Sequence, residues 1–164
     1  MRWLSFMLFI LPQLIYSQDI FVDKDAPVLT QEEKYARNIQ LEYINEVYIP
    51  KDVLDAMSEI DRLSDETGRK RLLETDEQTA ADVLVMGLGK WLIVNWNFYD
   101  GSRLSHKLRD YGVSHPDDMA KFLIVSYHRH LRQVPLELEE RGKVFYDKRK
   151  KEQEIRAAQR TKID

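Results

Sequence analysis

The sequence has no cysteine, which excludes disulfide bonds, thiolate metal sites and a lipid-modified cysteine anchor. It has no surplus of positive charge either, because its formal net charge is −3. Nucleic-acid-binding domains usually carry a basic face and have a high isoelectric point, so we expect no nucleic-acid partner. Outside the first residues, no apolar run approaches the roughly 20 residues that a membrane-spanning helix needs. What remains is a single domain, long enough to hold a core without cross-links.

The beginning of the chain has the three parts of a secretory signal. Arg2 supplies a positive charge, residues 3–15 form an apolar stretch, and Ser17 is a small residue before a cleavage point. We therefore expect cleavage between Ser17 and Gln18, export to the periplasm or out of the cell, and no transmembrane span afterwards. The alternative is an uncleaved anchor, for which the apolar stretch is too short and is interrupted by Pro12.

Helical signals dominate the rest of the chain, and we find no alternating pattern typical of strands. Thr30 and Glu33 have the spacing of a capping box, and so do Thr75 and Gln78. The second pair precedes the most apolar stretch of the chain, and a helix that is apolar on nearly all sides is typically buried. We therefore expect a buried central helix over about residues 77–96, surrounded by the others.

These signals predict an all-α fold, a compact single-domain bundle of about six helices. The basic run KRKK, residues 148–151, is flanked by acidic residues, which favours a solvated helix face over a site for lipid or an acidic partner. We divide the chain into a signal peptide, a lead-in with a short helix, a helical core domain and a charged C-terminal helix or tail: 1–17, 18–47, 48–140 and 141–164.

Familiar catalytic and metal-binding motifs are missing. Gly87 and Gly89 lie inside a helix and lack the third glycine of a dinucleotide fingerprint, so close packing of a neighbouring helix or ring explains them better. His128 and His130 would point about 200° apart on a helix and could not share one ion. Of the two, His130 falls on the apolar core face and His128 faces away from it. No G-x-S-x-G elbow is present. We expect no cofactor and no metal, and we assign no catalytic residue.

The most unusual stretch is NWNFYDGSR, residues 95–103, which follows the apolar helix. Trp96 and Tyr99 offer flat apolar faces, and the two asparagines offer donors and acceptors. Arg103 offers a planar fork suited to a carboxylate or phosphate. This chemistry suits a groove for a small ligand or a peptide. The alternative is structural, with the tryptophans filling the core and Arg103 tying the loop to an aspartate of a neighbouring helix.

Several short motifs together resemble an uncharacterised bacterial family, catalogued as a domain of unknown function. They are GLGKW, NW, GSRL, HPDDM and SYHR, and the resemblance extends over about residues 48–140. The resemblance implies a small helical domain and brings no assigned activity with it. Polar residues in such motifs form either a network that ties helices together or a site. With Tyr99 added from the loop, the candidate ligand- or partner-binding residues are Trp96, Tyr99, Arg103, His115, Asp117, Asp118, Tyr127, His128 and Arg129.

Aromatic and arginine residues of this kind suit interface hot spots, and no catalytic arrangement is visible. The leading hypothesis is therefore a non-enzymatic binding or interaction domain in the periplasm. Its contact surface would combine the loop at 95–103 with the exposed side of the HPDDM…SYHRH helix. The partner would be another envelope protein or a small anionic ligand.

Two other hypotheses stay open. One is a small acid–base enzyme acting on an anionic substrate, with His128 or His115 beside Asp117 or Asp118 and with Arg103 holding the anion. The other is an envelope component with no small ligand. A histidine and a carboxylate within hydrogen-bond reach beside a pocket would favour the enzyme. An exposed aromatic patch with a polar rim would favour the binding domain.

Overall fold

The structure, a computed structural model, describes residues 29–160. These residues form seven continuous helices, one of which contains a π-helical segment in its middle, and one small hairpin, so the all-α prediction is confirmed. The elements are α1 Gln31–Asn38, β1 Tyr43–Ile44, β2 Val47–Tyr48, α2 Val53–Leu63, α3 Glu66–Glu74, α4 Glu77–Leu84, the π-helical segment Val85–Gly89, α5 Lys90–Asn95, α6 Arg103–Asp110, α7 Pro116–Leu131 and α8 Leu138–Arg160.

Side-chain caps set where the helices begin. The capping box of Thr30 and Glu33 is present at the start of α1, as the spacing predicts. The second predicted box is wrong, because Asp76 caps α4 by accepting a hydrogen bond from the backbone N–H of Thr79 at 3.0 Å. Thr75 instead ends α3. Aspartate is among the strongest N-cap residues, and here it stands one residue nearer the helix than the threonine.

The expectation of a chain without strands is wrong at one place. Tyr43 pairs with Tyr48 and Ile44 with Val47 in an antiparallel hairpin. The two-residue loop between them has φ angles of 49° at Asn45 and 65° at Glu46. Two left-handed residues in a row define a type I′ turn, whose twist matches that of paired strands. The hairpin places the two tyrosines side by side ahead of α2.

The centre of the bundle is α7 rather than the expected helix at 77–96. Helix α7 packs against every helix from α2 to α8 and against the π-helical segment. Its buried residues surround the helix axis: Asp118, Met119, Ala120, Phe122, Leu123, Ile124, Ser126, Tyr127 and His128. By contrast, Val83, Met86 and Val94 are exposed on the helix that the sequence places at the centre. Composition identifies an apolar helix, but which helix has neighbours on all sides depends on tertiary packing.

The π-helical segment matches the spacing of the buried positions on its helix. On the continuous helix from α4 to α5, buried or half-buried positions recur every four residues in two adjacent rows. One row is Ala80, Leu84, Leu88, Leu92 and Trp96, and the other is Ala81, Val85, Gly89 and Ile93. A regular α-helix has 3.6 residues per turn, so a four-residue period drifts by about 40° per turn. The wider π turn takes up part of this drift and keeps the later positions on the core.

Helix α8 packs on the bundle and is anchored by a half-buried arginine. Arg141 donates to the carbonyl oxygen of Phe122 at 2.8 Å and to the hydroxyl of Ser126 at 3.0 Å. Burial lowers the pKa of Arg141 to about 10, so the side chain keeps its charge at neutral pH. Gly142 lets the helix approach closely, since a Cβ there would lie 2.0 Å from the carbonyl oxygen of Tyr111. Within the described residues, no helix is both long and apolar enough to cross a membrane.

Candidate functional site

The aromatic loop that ends the apolar helix is mostly built into the core. Trp96 is fully buried, and its ring meets those of Trp91 and Phe98 at centroid distances of 6.1 and 6.4 Å. Asn97 adopts a left-handed conformation, with φ of 54°, and donates to the carbonyl oxygen of Gly101 at 2.9 Å. Tyr99 alone among the aromatic residues of this loop projects outward, with 70% of its surface exposed. The loop is therefore a tight, packed turn.

Arg103 ties this loop to the start of α2. Its Nε donates to the carbonyl oxygen of Ile49 at 2.7 Å, and its guanidinium carbon lies 5.2 Å from the ring centroid of Tyr48. The structural alternative predicts a partner for Arg103, but the partner is a backbone carbonyl and an aromatic ring rather than an aspartate. A guanidinium held in this way is already engaged on one edge and one face.

The residues at the start of α7 form a separate cluster. His115 caps the helix, because its Nδ1 accepts from the backbone N–H of Asp117 at 3.3 Å. Asp118 is buried and pairs with Arg149 and, at 3.5 Å, with Lys148. Through these ion pairs, Lys148 and Arg149, the first two residues of KRKK, hold α8 on α7. The neighbouring depression has a volume of about 190 Å³, smaller than the roughly 300 Å³ at which ligand pockets begin.

His128 lies at the opposite end of α7, about 20 Å along the helix axis from His115. Its Nε2 lies 2.9 Å from the carbonyl oxygen of Thr75 and 3.2 Å from Nε of Arg132, whereas its Nδ1 is buried with no hydrogen-bond partner among residues 29–160. The expected orientation of the two neighbouring histidines is wrong, because His128 is buried and His130 is exposed against Tyr127. The reason is that α7 has neighbours on both sides, so the face turned away from the main core also meets a helix.

Tyr127 and Arg129 link distant parts of the chain. The hydroxyl of Tyr127 donates to Asp61 at 3.0 Å, and burial is the main cause that raises the pKa of this tyrosine. Arg129 donates to Glu77 at 2.8 Å and to Glu137 at 2.6 Å, which joins the starts of α4 and α8 to the end of α7. Of the nine candidates chosen from the sequence, only Tyr99, His115 and Asp117 are exposed.

A groove lies elsewhere, between the hairpin, α2 and α5. The hairpin contributes Tyr43, Glu46 and Tyr48, α2 contributes Glu59, Arg62 and Leu63, and α5 contributes Trp91. We call this the aromatic groove; its volume is about 500 Å³. A second depression of about 300 Å³ continues from it and shares Leu63 and Trp91. Both volumes fall within the range of ligand sites in proteins.

Large apolar side chains of the aromatic groove are exposed to solvent. Trp91 is 38% exposed, Leu63 47% and Tyr43 58%. The indole N–H of Trp91 and the hydroxyl of Tyr43 make no hydrogen bond to any residue in the range 29–160. Exposed apolar side chains that adjoin one another and have a polar rim mark interaction sites, whereas isolated ones are ordinary.

One wall of the aromatic groove is held rigid by internal bonds. The hydroxyl of Tyr48 donates to Asp55 at 2.7 Å, and this hydrogen bond is the main cause that raises the pKa of Tyr48. The rings of Tyr43 and Tyr48 meet edge to face, with centroids 5.6 Å apart. Arg62 donates to both carboxylate oxygens of Glu59, at 2.8 and 2.7 Å. The groove is therefore formed before any ligand enters.

Sequence reasoning missed most of this groove. YINEVY, residues 43–48, does not alternate in polarity, and it lacks the Asn-Gly or Asp-Gly pair that marks a short hairpin most clearly. Trp91 reads as core because it lies in the most apolar stretch of the chain. Only the packing of the hairpin against α2 brings the tyrosines near Trp91, and no spacing in the sequence encodes that contact.

The arrangement offers aromatic faces for stacking and polar groups for hydrogen bonding. Within residues 29–160 there is no group of three or more histidine, aspartate or glutamate side chains placed to hold a metal ion.

A model of the family described as "Domain of unknown function (DUF6794)" matches residues 49–131. That range includes α2 to α7, whereas the hairpin and α8 lie outside it. No curated protein and no solved structure matches the chain.

Proposed function

The chain belongs to the DUF6794 family of unknown function, and from that premise we propose that it is an exported, non-catalytic binding domain. Its partner is a peptide segment of another envelope protein, which lies in the aromatic groove. Export rests on the signal at the beginning of the sequence, and the bacterial setting rests on the resemblance described above. We place the contact surface in the groove rather than in the loop at 95–103 that the sequence suggests, because Trp96 of that loop is buried.

The observation that carries the proposal is the position of Trp91. Trp91 is 38% exposed and lines both depressions, together with Leu63 in both and Tyr43 in the larger one. Tryptophan and tyrosine dominate the binding energy of protein interfaces because they bury a large area with few rotatable bonds. The rim residues Glu46, Glu59 and Arg62 supply the polar border that such a centre needs.

The acid–base alternative has weaker support. His115 and His128 lie at opposite ends of α7, and the nearest carboxylate oxygen to His115, on Asp117, is 3.8 Å away. Asp118 is engaged by Arg149, and Arg103 is engaged by Ile49. An anion would therefore have to displace Arg103 from a backbone carbonyl before it could bind there.

The proposal is tested by selecting a library of random 12-residue peptides on the purified exported protein. We expect binders to enrich on the wild type and on Tyr99→Ala, and to be lost on Trp91→Ala. Tyr99 is the matched control, because it is also an exposed aromatic residue but lies outside the groove. Individual peptides should lose at least about tenfold in affinity on Trp91→Ala, the size expected when an aromatic hot spot is truncated.

Two results would contradict the proposal. One is a selection that enriches no peptide on the wild type. The other is a set of binders that Trp91→Ala retains and Tyr99→Ala loses. Circular dichroism and thermal unfolding of both variants must match the wild type, so that loss of binding is not loss of folding.

A further inference from the structure

We infer that the aromatic groove selects a partner segment carrying a lysine or arginine side chain, which lies against the rings of Trp91 and Tyr43 with its charge at Glu46. This inference rests on the proposed function and names the chemistry of the partner. It is based on the side chains that line the groove, which include three aromatic rings and one carboxylate without an internal partner: Tyr43, Tyr48, Trp91 and Glu46.

The carboxylate of Glu46 has no internal partner in the described part of the protein. It is exposed, and it makes no hydrogen bond or ion pair with any residue between 29 and 160. Its backbone has φ of 65° at the second position of a type I′ turn, where glycine is favoured. A non-glycine residue in that conformation is strained, and such strain is concentrated at functional sites. The turn keeps a carboxylate at the edge of the groove where the backbone alone would favour glycine.

The aromatic rings suit a cation. A positive charge within about 6 Å of a tryptophan or tyrosine ring is attracted to its face. The protein already uses this interaction on the adjoining wall, where the guanidinium carbon of Arg103 lies 5.2 Å from the ring centroid of Tyr48. Trp91 and Tyr43 have open surface with no internal cation on it, since the described cation–π pairs involve Tyr35, Tyr48, Tyr111 and Phe122.

The charges around the groove favour the same ligand. Arg62 is the only cation in the lining, and both of its bonds go to Glu59, so this pair contributes little net charge. Glu46 then leaves the groove negative. The whole chain is also negative, with a formal net charge of −3. A basic segment is attracted to such a surface, whereas an acidic one is repelled.

The test is a double-mutant cycle on the peptides that the selection enriches. We expect each to contain a lysine or arginine whose replacement by glutamine weakens binding to the wild type by roughly tenfold, measured by titration calorimetry. On Glu46→Gln, the same replacement should cost only about two- to fivefold, because the attraction to the aromatic rings remains after the partner charge is gone. Raising the salt concentration should weaken the wild-type complex more than the Glu46→Gln complex.

Glu154→Gln is the matched control. Glu154 is exposed on α8, makes no ion pair within residues 29–160, and its substitution changes the net charge by the same amount. It should leave affinity unchanged. Peptides that bind through Trp91 but contain no basic residue, or that are indifferent to Glu46→Gln, would overturn this inference and leave the proposed function standing. A dimer in sedimentation that Trp91→Asp dissociates would overturn it as well, since a second copy would then cover the groove.

Discussion

Gly101 meets two separate structural demands at the scale of a single residue. Its φ is 93°, and a Cβ there would lie 2.2 Å from Cδ2 of Tyr35. That ring is held in place, because its hydroxyl lies 2.8 Å from Nδ1 of His106 and Arg109 lies over its face at 4.9 Å. The glycine is therefore what lets α1 dock on α6.

We predict that Gly101→Ala lowers the free energy of unfolding by about 2 kcal/mol, from backbone strain together with displacement of the Tyr35 ring. Chemical denaturation measures the loss. Hydrogen exchange should show that the amides of α1 lose protection first, because Tyr35 is the residue of α1 that is displaced.

Gly87 is the matched control for this substitution. A Cβ at Gly87 would meet no described atom within 4 Å, so alanine there removes backbone freedom without a clash. Gly87→Ala should raise the free energy of unfolding by up to about 1 kcal/mol. A loss of stability at Gly87 comparable to that at Gly101 would contradict this assignment.

The sequence predicts that both Gly87 and Gly89 are there for close packing. This explanation is confirmed for Gly89, where a Cβ would meet Ala120 and Ile124 at 3.5 Å, and is wrong for Gly87, where a Cβ would meet nothing within 4 Å.

At the scale of an element, the start of α4 depends on an ionised side chain. Asp76 accepts hydrogen bonds from the hydroxyl and the backbone N–H of Thr79, and these lower the pKa of the carboxyl group below its ordinary 3.8. A lowered carboxyl pKa means that the folded state prefers the charged form. The resulting stability is present above about pH 3.8 and is lost as the pH falls through the lower pKa of the folded state.

We therefore predict that wild type is more stable than Asp76→Asn at pH 7, and that this difference shrinks toward zero as the pH falls below 3.8. Asparagine is a good N-cap without a charge, so the variant keeps the cap and loses only the ionisable group. Denaturant unfolding of both proteins from pH 7 to about pH 2.5 measures the difference. A difference that stays constant over this range would contradict the role of the ionised carboxylate.

The π-helical segment shows how far sequence reasoning reaches for an element. The apolar composition of 83–94 predicts a helix, and the helix is there. The four-residue period of its buried positions emerges only once the structure shows which side of the helix faces the core. Val83 and Val94 are as apolar as Leu92 and yet are exposed. Burial on this helix was decided by where α7 lies.

At the scale of the whole molecule, export is the prediction with the simplest measurement. We expect the chain, produced in a bacterial host, to appear in the periplasm or the medium with Gln18 as its first residue, as determined by mass spectrometry. Ser17→Trp should retain the leader, because signal cleavage needs a small residue at that position. Recovery of the wild type from the cytoplasm with Met1 or Arg2 still present would contradict the prediction. Residues 1–28 lie outside the described structure, so this measurement is the direct test.

The sequence by itself determined the class of the fold. Helical periodicity and capping residues depend on neighbours within one turn, so the all-α class and the cap of α1 could be predicted without knowledge of contacts. The motifs GSRL, HPDDM and SYHR also predicted a family of unknown function, which the match over 49–131 confirms. Local patterns carry this information because hydrogen bonds and caps within a helix are local interactions.

Tertiary structure alone decided the centre of the bundle and the position of the groove. His128 is buried and His130 exposed because of the helices that surround α7, and neither fact follows from their spacing. Tyr43 and Trp91 lie far apart in the chain and share one groove only because the hairpin folds onto α2. Burial and proximity are properties of contacts between distant segments, and the periodicity of each segment alone does not specify them.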